Sequence, residues 1–227
     1  MKRILEVCLV AFTLSMNMPS APAQSPALRK GVSVQMAATG SATPMPEADN
    51  QDAWIVTITA DGKLYFGADP VDAGGLMNDM KIHPRKRDAK LYIKADARAP
   101  FNSVEKVLEI GRKAYFESAV FLTKQNETPA LGKMVAPQGL EILLTSAPSD
   151  AVVVELPNPD QSQASLKVDN REVARANLQN ALNQSLQNRA DRIVEIKAEG
   201  SLPFAQVAQV IDACASVKAK VVRPAEE

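Results

Sequence analysis

Ile93-Lys94-Ala95-Asp96, followed by Pro100-Phe101, returns later in the chain as Ile196-Lys197-Ala198-Glu199, followed by Pro203-Phe204. The offset is 103 residues, from 93 to 196, and it also pairs Val104 with Val207, Val107 with Val210 and Leu108 with Ile211. Upstream, an offset of 102 aligns Leu64, Val71, Leu76 and Met80 with Leu166, Val173, Leu178 and Leu182. Both units open on a glycine and an apolar-rich stretch, Gly31-Val32-Ser33-Val34-Gln35-Met36 and Gly139-Leu140-Glu141-Ile142-Leu143-Leu144. Several motifs repeated in the same order mean that one supersecondary arrangement is laid down twice.

Within the first unit, residues 54–60 alternate Ile55, Thr57, Thr59 against Val56, Ile58, Ala60, the period of a strand. Asp61-Gly62 then reads as a two-residue hairpin turn supplying positive φ, with residues 63–67 as the returning strand. Asp72 is placed to cap a helix carrying Leu76 and Met80 one turn apart and ending near Pro84, its first turn weakened by Gly74 and Gly75. A strand over 90–95 follows. A helix over 101–115 carries Val104, Val107, Leu108, Gly111 and Ala114 on one face, and the unit ends on a strand at 119–123.

The second unit keeps this order, with residues 157–165 as a longer loop in place of the tight turn. Its first helix, expected over 173–186, sets Val173, Leu178, Leu182 and Leu186 against a solvated face of Asn and Gln. The expected fold class is α+β. Two tandem two-layer α/β sandwiches, each in the order β-β-β-α-β-α-β, carry both helices on one face of a mixed sheet, because right-handed crossovers put them there.

Around these units lie simpler segments. Lys2 and Arg3 precede an apolar run from Ile4 to Met18 and the small residues Ser20, Ala21, Pro22 and Ala23, so residues 1–23 read as a signal peptide. An uncleaved anchor is the alternative, although the run falls short of the roughly 20 residues a span needs and contains Glu6, Ser15 and Asn17. Residues 24–30 form a lead-in, 31–124 the first domain, 125–138 a linker and 139–227 the second, divergent domain. A loop is expected over 38–52. The 26 basic side chains balance 26 acidic ones, which gives no electrostatic reason to bind nucleic acid. Cleavage would leave Cys214 without a disulfide partner, as a small buried hydrophobe.

The run Val56-Thr57-Ile58-Thr59-Ala60-Asp61-Gly62-Lys63-Leu64-Tyr65, then Leu91-Tyr92-Ile93-Lys94-Ala95-Asp96, Pro100-Phe101 and a helix-strand ending, resembles the periplasmic domain of the ExbD/TolR biopolymer-transport family. The resemblance covers most of residues 31–124, and the repeat carries a weaker version across 139–227. It implies a domain that dimerises beside an ion-driven inner-membrane motor energising outer-membrane transport or envelope maintenance. The function implied is that of a non-catalytic periplasmic adaptor binding a protein partner of a TonB/Tol-like envelope system, without cofactors. The alternatives are a peptidoglycan-binding module and a membrane-anchored component on the periplasmic side of the inner membrane. Family members carry an aspartate in one N-terminal membrane helix, and residues 1–23 contain no Asp, so a direct part in ion translocation does not transfer. Duplication within one chain would replace the family's dimer by an internal pair.

Catalysis finds little footing. The sole histidine, His83, allows neither a two-histidine metal site nor a His-based triad with a spare, and Gly74-Gly75 lacks the spacing of a phosphate loop. Asp61, Asp69 and Asp72 are accounted for by turns and a cap. The candidate partner-binding positions are Val32 and Val34 in one expected edge strand and Val120 and Leu122 in another, since an unpaired edge offers backbone groups to an extended peptide. Arg85, Lys86 and Arg87 are candidates for contact with an anionic polymer such as peptidoglycan. Trp54, Tyr65, Phe66, Tyr92, Phe101, Tyr115, Phe116 and Phe121 concentrate in the first unit, which marks it as the expected recognition surface.

Overall fold

A computed structural model describes residues 32–82, 86, 88–124, 135–157 and 165–223. The expected signal peptide and lead-in, most of the linker, His83, Arg85, Arg87 and residues 158–164 lie outside these. The first half contains β1 (Thr43–Pro44), β2 (Trp54–Ile58), β3 (Leu64–Phe66), β4 (Asp69–Val71), α1 (Ala73–Ile82), β5 (Leu91–Ala95), α2 (Phe101–Lys113) and β6 (Ser118–Thr123). The second contains β7 (Gln138–Leu143), β8 (Val152–Leu156), β9 (Ser165–Val168), β10 (Arg171–Ala174), α3 (Leu178–Leu186), β11 (Ile193–Ala198), α4 (Phe204–Ser216) and β12 (Lys220–Val222).

The strands form one mixed sheet in the order β10-β9-β8-β11-β12-β7-β6-β5-β2-β3-β4, with β1 paired to β7. The expectation of two separate sandwiches is corrected here. Six antiparallel pairs from Ser118↔Leu143 to Thr123↔Gln138 join the halves, and β7 is also parallel to its own half's β12. One apolar core follows the join. It unites Leu76 and Met80 of α1, Val104 and Val107 of α2, Leu178 and Leu182 of α3, and Val207 and Ile211 of α4 with the alternate strand residues Ile93, Phe121, Ile142 and Ile196. Each amphipathic helix buries its apolar stripe there, at roughly 25 cal/mol for each Å² of apolar surface removed from water.

The repeat survives in backbone detail. Both long helices end with a left-handed residue, Tyr115 (φ 63°) and Lys218 (φ 57°). The following N–H groups, of Phe116 and Ala219, reach back to Gly111 and Cys214 in each case. These are matched αL caps 103 residues apart, built without glycine.

Several local expectations change. Val32–Met36 is not a strand: the seat beside β6 is filled by β7, and the N-terminal segment instead passes the ends of β5 and β6. Residues 118–123 are no edge either, because β6 is paired on both sides and buried throughout. Each half inserts an extra short strand, β4 or β10, before its first helix, so Val173 belongs to β10 and α3 starts at Leu178. The Asp61-Gly62 turn has positive φ at Gly62 alone (79°). Gly62 N–H donates to the Thr59 carbonyl and Thr59 N–H to Lys63, a three-residue loop with a glycine bulge. Asp61 stays at ordinary φ, where its carboxylate accepts from Thr59 Oγ1 and pairs with Lys63 Nζ at 2.7 Å. Lys63 is the main reason that carboxyl is lowered to about 2.

Candidate interaction surfaces

Pro100 and Pro203 precede α2 and α4, and neither helix has a side-chain N-cap. The first N–H groups of a helix lack intrahelical acceptors and must find others. Here they find the opposite half. Phe101 and Asn102 N–H donate to the carbonyls of Leu202 and Gly200, while Phe204 and Ala205 N–H donate to those of Ala99 and Ala97, all at 2.8 Å. Shifting each bond by 103 residues and exchanging the halves reproduces the other set, so the two Pro-Phe motifs are related by a pseudo-two-fold exchange in which the turn before each long helix caps the other helix. Phe121 of β6 and Phe204 of α4 add a ring contact with centroids 4.9 Å apart.

The segment before β2 forms an arm across this junction. Gln35 N–H donates to Asp96 Oδ2 and Ala97 N–H to the Gln35 carbonyl, while Lys94 Nζ donates to Val32. Asp96 is buried and receives Arg98 bidentately, at 2.9 Å to Oδ1 and 3.0 Å to Oδ2. Those Arg98 bonds hold its carboxyl far below the ordinary carboxylate range. Farther on, Gly40 and Ser41 N–H converge on the Asp212 carboxylate of α4 in the other half. The arm then lays Met45 and Ala48 over Tyr92, Val120 and Leu122, a second small core on the sheet face away from the helices.

The residues expected to bind a partner are therefore dispersed. Val120 and Leu122 sit beneath the arm, and Val32 lines a cleft of about 700 Å³ with Ile55, Thr57 and Lys94. Val34 is half-buried in the arm, outside any strand. Lys86 is exposed and lines a cavity of about 140 Å³ with Glu47, Asp52, Asp88 and Lys90, a wall of mixed sign. The aromatic-rich first half spends its rings mainly on packing: Trp54 contacts Phe66 and Phe116, and Tyr115 is the aromatic left exposed.

The true sheet ends are β4 and β10, and they differ. β4 carries Pro70, which has no N–H to offer; β10 carries Arg171 and Glu172, both exposed, with no strand beyond it among the described residues. The interaction-bearing residues that the sequence reading passed over are Asp96, Arg98, Asp212 and this β10 edge. Asp169-Asn170, both at positive φ, were its available hairpin signal. Cys214 is fully buried, and desolvation pushes its thiol up to about 12. Among the described residues, no His, Cys, Asp and Glu group is arranged to hold a metal ion, and no helix is long and apolar enough to cross a membrane.

Comparison with curated proteins and with solved structures gave no match. The family model for the biopolymer transport protein ExbD/TolR, in contrast, matches twice, over residues 4–126 and again over 124–223. Two matches in tandem agree with the repeated backbone, and together they take in nearly the whole chain. The chain thus belongs to the ExbD/TolR family of biopolymer transport proteins, non-catalytic adaptors of envelope energy transduction.

Proposed function

We propose that the chain is a periplasmic adaptor of an ion-driven envelope system, in which one polypeptide supplies a finished pair of ExbD/TolR units and docks a protein partner. The observation that carries this reading is the reciprocal capping of α2 and α4. Each family unit completes the other's helix ends, so the pair is built into the chain and a single arm leads to it. The adaptor acts through binding. With no Asp in residues 1–23, ion flow is left to the motor beside it. Crosslinking in cells followed by co-purification tests this: an inner-membrane motor protein should be captured by the native chain, and its consistent absence would end the reading.

A second reading is supported by where the first family match begins. Residue 4 is inside it, so the match takes in the apolar run Ile4 to Met18, as an anchored family member would. In that case the domain is held on the periplasmic face of the inner membrane by an uncleaved leader. Fractionation with mass spectrometry of the N-terminus separates the two: a start at Gln24 in the soluble envelope fraction favours export, an intact leader in membranes favours anchoring. Arg85, Lys86 and Arg87 remain the proposed contacts should the partner be peptidoglycan. Retention on purified cell wall that is lost when all three become Ala would move the adaptor's target from protein to polymer.

A further inference from the structure

The register of the second half aligns charges across four strands. Lys197 of β11 lies opposite Glu155 of β8, Glu155 opposite Lys167 of β9, and Lys167 opposite Glu172 of β10. The intervening residues Val154, Leu166, Val168 and Ile196 point into the core, so this Lys-Glu-Lys-Glu row runs over the outer face of the sheet. Directly opposed charges of unlike sign favour strand pairing and like ones oppose it. The row stops at Glu172, on the open edge.

Backbone direction completes the edge. Val168 and Arg171 flank the two-residue Asp169-Asn170 turn and form its hydrogen-bonded pair, so the alternation of an antiparallel ladder turns the N–H and C=O of Glu172 away from β9. The pseudo-symmetric row of the first half supplies an internal comparison. There the sequence of partners is Lys94, Thr57, Tyr65 and Pro70, with no acid and, at the edge, a residue lacking the outward N–H. Among the described residues, one edge of the paired unit is blunted and the other is open.

We infer that β10 takes up an extended protein segment bearing a basic residue opposite Glu172, so that the added strand continues the alternating row. Resting on the adaptor reading for the partner's being a protein, the inference locates the docking edge on the second, aromatic-poor half. The residues flanking the basic one turn toward the helix side: one meets Val173, which packs against the core and suits an apolar side chain, and the other meets the exposed Arg171. A second copy of this chain is the poorer occupant, because the symmetric edge-to-edge register centred on Glu172 brings two carboxylates together and no symmetric register within β10 sets a basic residue opposite it except Arg171 itself.

The test uses the full chain and two fluorescent nonapeptides of alternating Thr and Val, one with a central Lys and one with a central Glu, read by anisotropy. The Lys peptide should bind at least about fivefold more tightly, the scale of exchanging a favourable cross-strand pair for a like-charge one. Glu172→Lys should reverse the order. Glu172→Pro, which copies the first half's own edge, should abolish binding of both with an unchanged circular dichroism spectrum. Equal affinities, absent binding of the Lys peptide, or binding undiminished in Glu172→Pro would overturn the inference, and Glu172→Lys decides alone if the proline variant fails to fold. A dimer in sedimentation that is lost in Glu172→Pro would overturn it in favour of self-pairing. Motor crosslinking is a separate readout: if it survives while peptide binding fails, the edge is wrong and the adaptor reading stands.

Discussion

The Phe101 N–H donates to the Leu202 carbonyl across the middle of the protein, and the equivalent bond from Phe204 returns to Ala99. Because each half supplies the acceptors that start the other's long helix, the N–H donors that either unit alone would leave open are already paired within the chain. A chain starting at Gln24 should sediment as a monomer at micromolar concentration. A stable homodimer by sedimentation equilibrium would show that the internal pair leaves a further dimer surface.

Gly139 tests the seam from the sheet side. A Cβ there would lie 2.4 Å from Val120 Cγ1, 3.1 Å from the Phe121 carbonyl oxygen and 3.3 Å from Met45 Cγ, against β6 on one side and the arm on the other. Backbone cannot yield as a flexible side-chain tip does, so Gly139→Ala should cost about 1–3 kcal/mol, the usual range for overpacking. Urea denaturation gives the value. A cost near zero would mean that β6 and β7 can separate freely.

What the sequence made legible was whatever local periodicity specifies: the tandem copies, the stripes of α2 and α4, the cap Asp72 makes to Gly75 N–H, and the solvated amides of α3. The seam was not legible, for a physical reason. Gly31–Met36 and Gly139–Leu144 have the same pattern and only one central seat exists, so competition between distant segments decides which becomes β7 and which becomes arm. Propensity carries no information on that contest. The edges were missed as a consequence, since filling the seat with β7 buries β6 and moves the open edge to β10. Arg98 reaches Asp96 from two residues away, a spacing too common to stand out, and Asp212 meets Gly40 only through the tertiary fold.

Tyr115 is 84% exposed at a left-handed φ of 63°, and Lys218 holds the matching position of α4 at 57°. Side chains pay about 1–2 kcal/mol for this conformation, and glycine returns part of the gain through its greater unfolded-state entropy. Tyr115→Gly and Lys218→Gly should therefore each raise stability by up to about 1 kcal/mol, seen as a higher Tm. Destabilisation by Tyr115→Gly would instead reveal that the ring makes contacts worth more than the backbone strain.

Asp96 links the arm to the sheet and should give the fold an acid limb. Its carboxyl titrates lower in the folded chain than the ordinary value of 3.8, first because of Arg98 and then through the N–H groups of Gln35 and Arg98, with burial acting in the opposite direction. A group whose folded pKa is depressed stabilises the fold above its unfolded value, and that contribution fades as pH falls from about 4 toward the folded value. Asp96→Asn keeps the shape and removes the charge, so it should cost about 1–2 kcal/mol at pH 7, a charged hydrogen bond discounted for the exposed Arg98. The same variant should lose less stability than the native chain between pH 4 and pH 2. Proteolysis should also cut the arm near Gln35 sooner in the variant, because the lost carboxylate is the one that held the Gln35 N–H. Parallel stability curves for both proteins across that pH range would assign the acid sensitivity to other carboxylates and leave Asp96 a packing role.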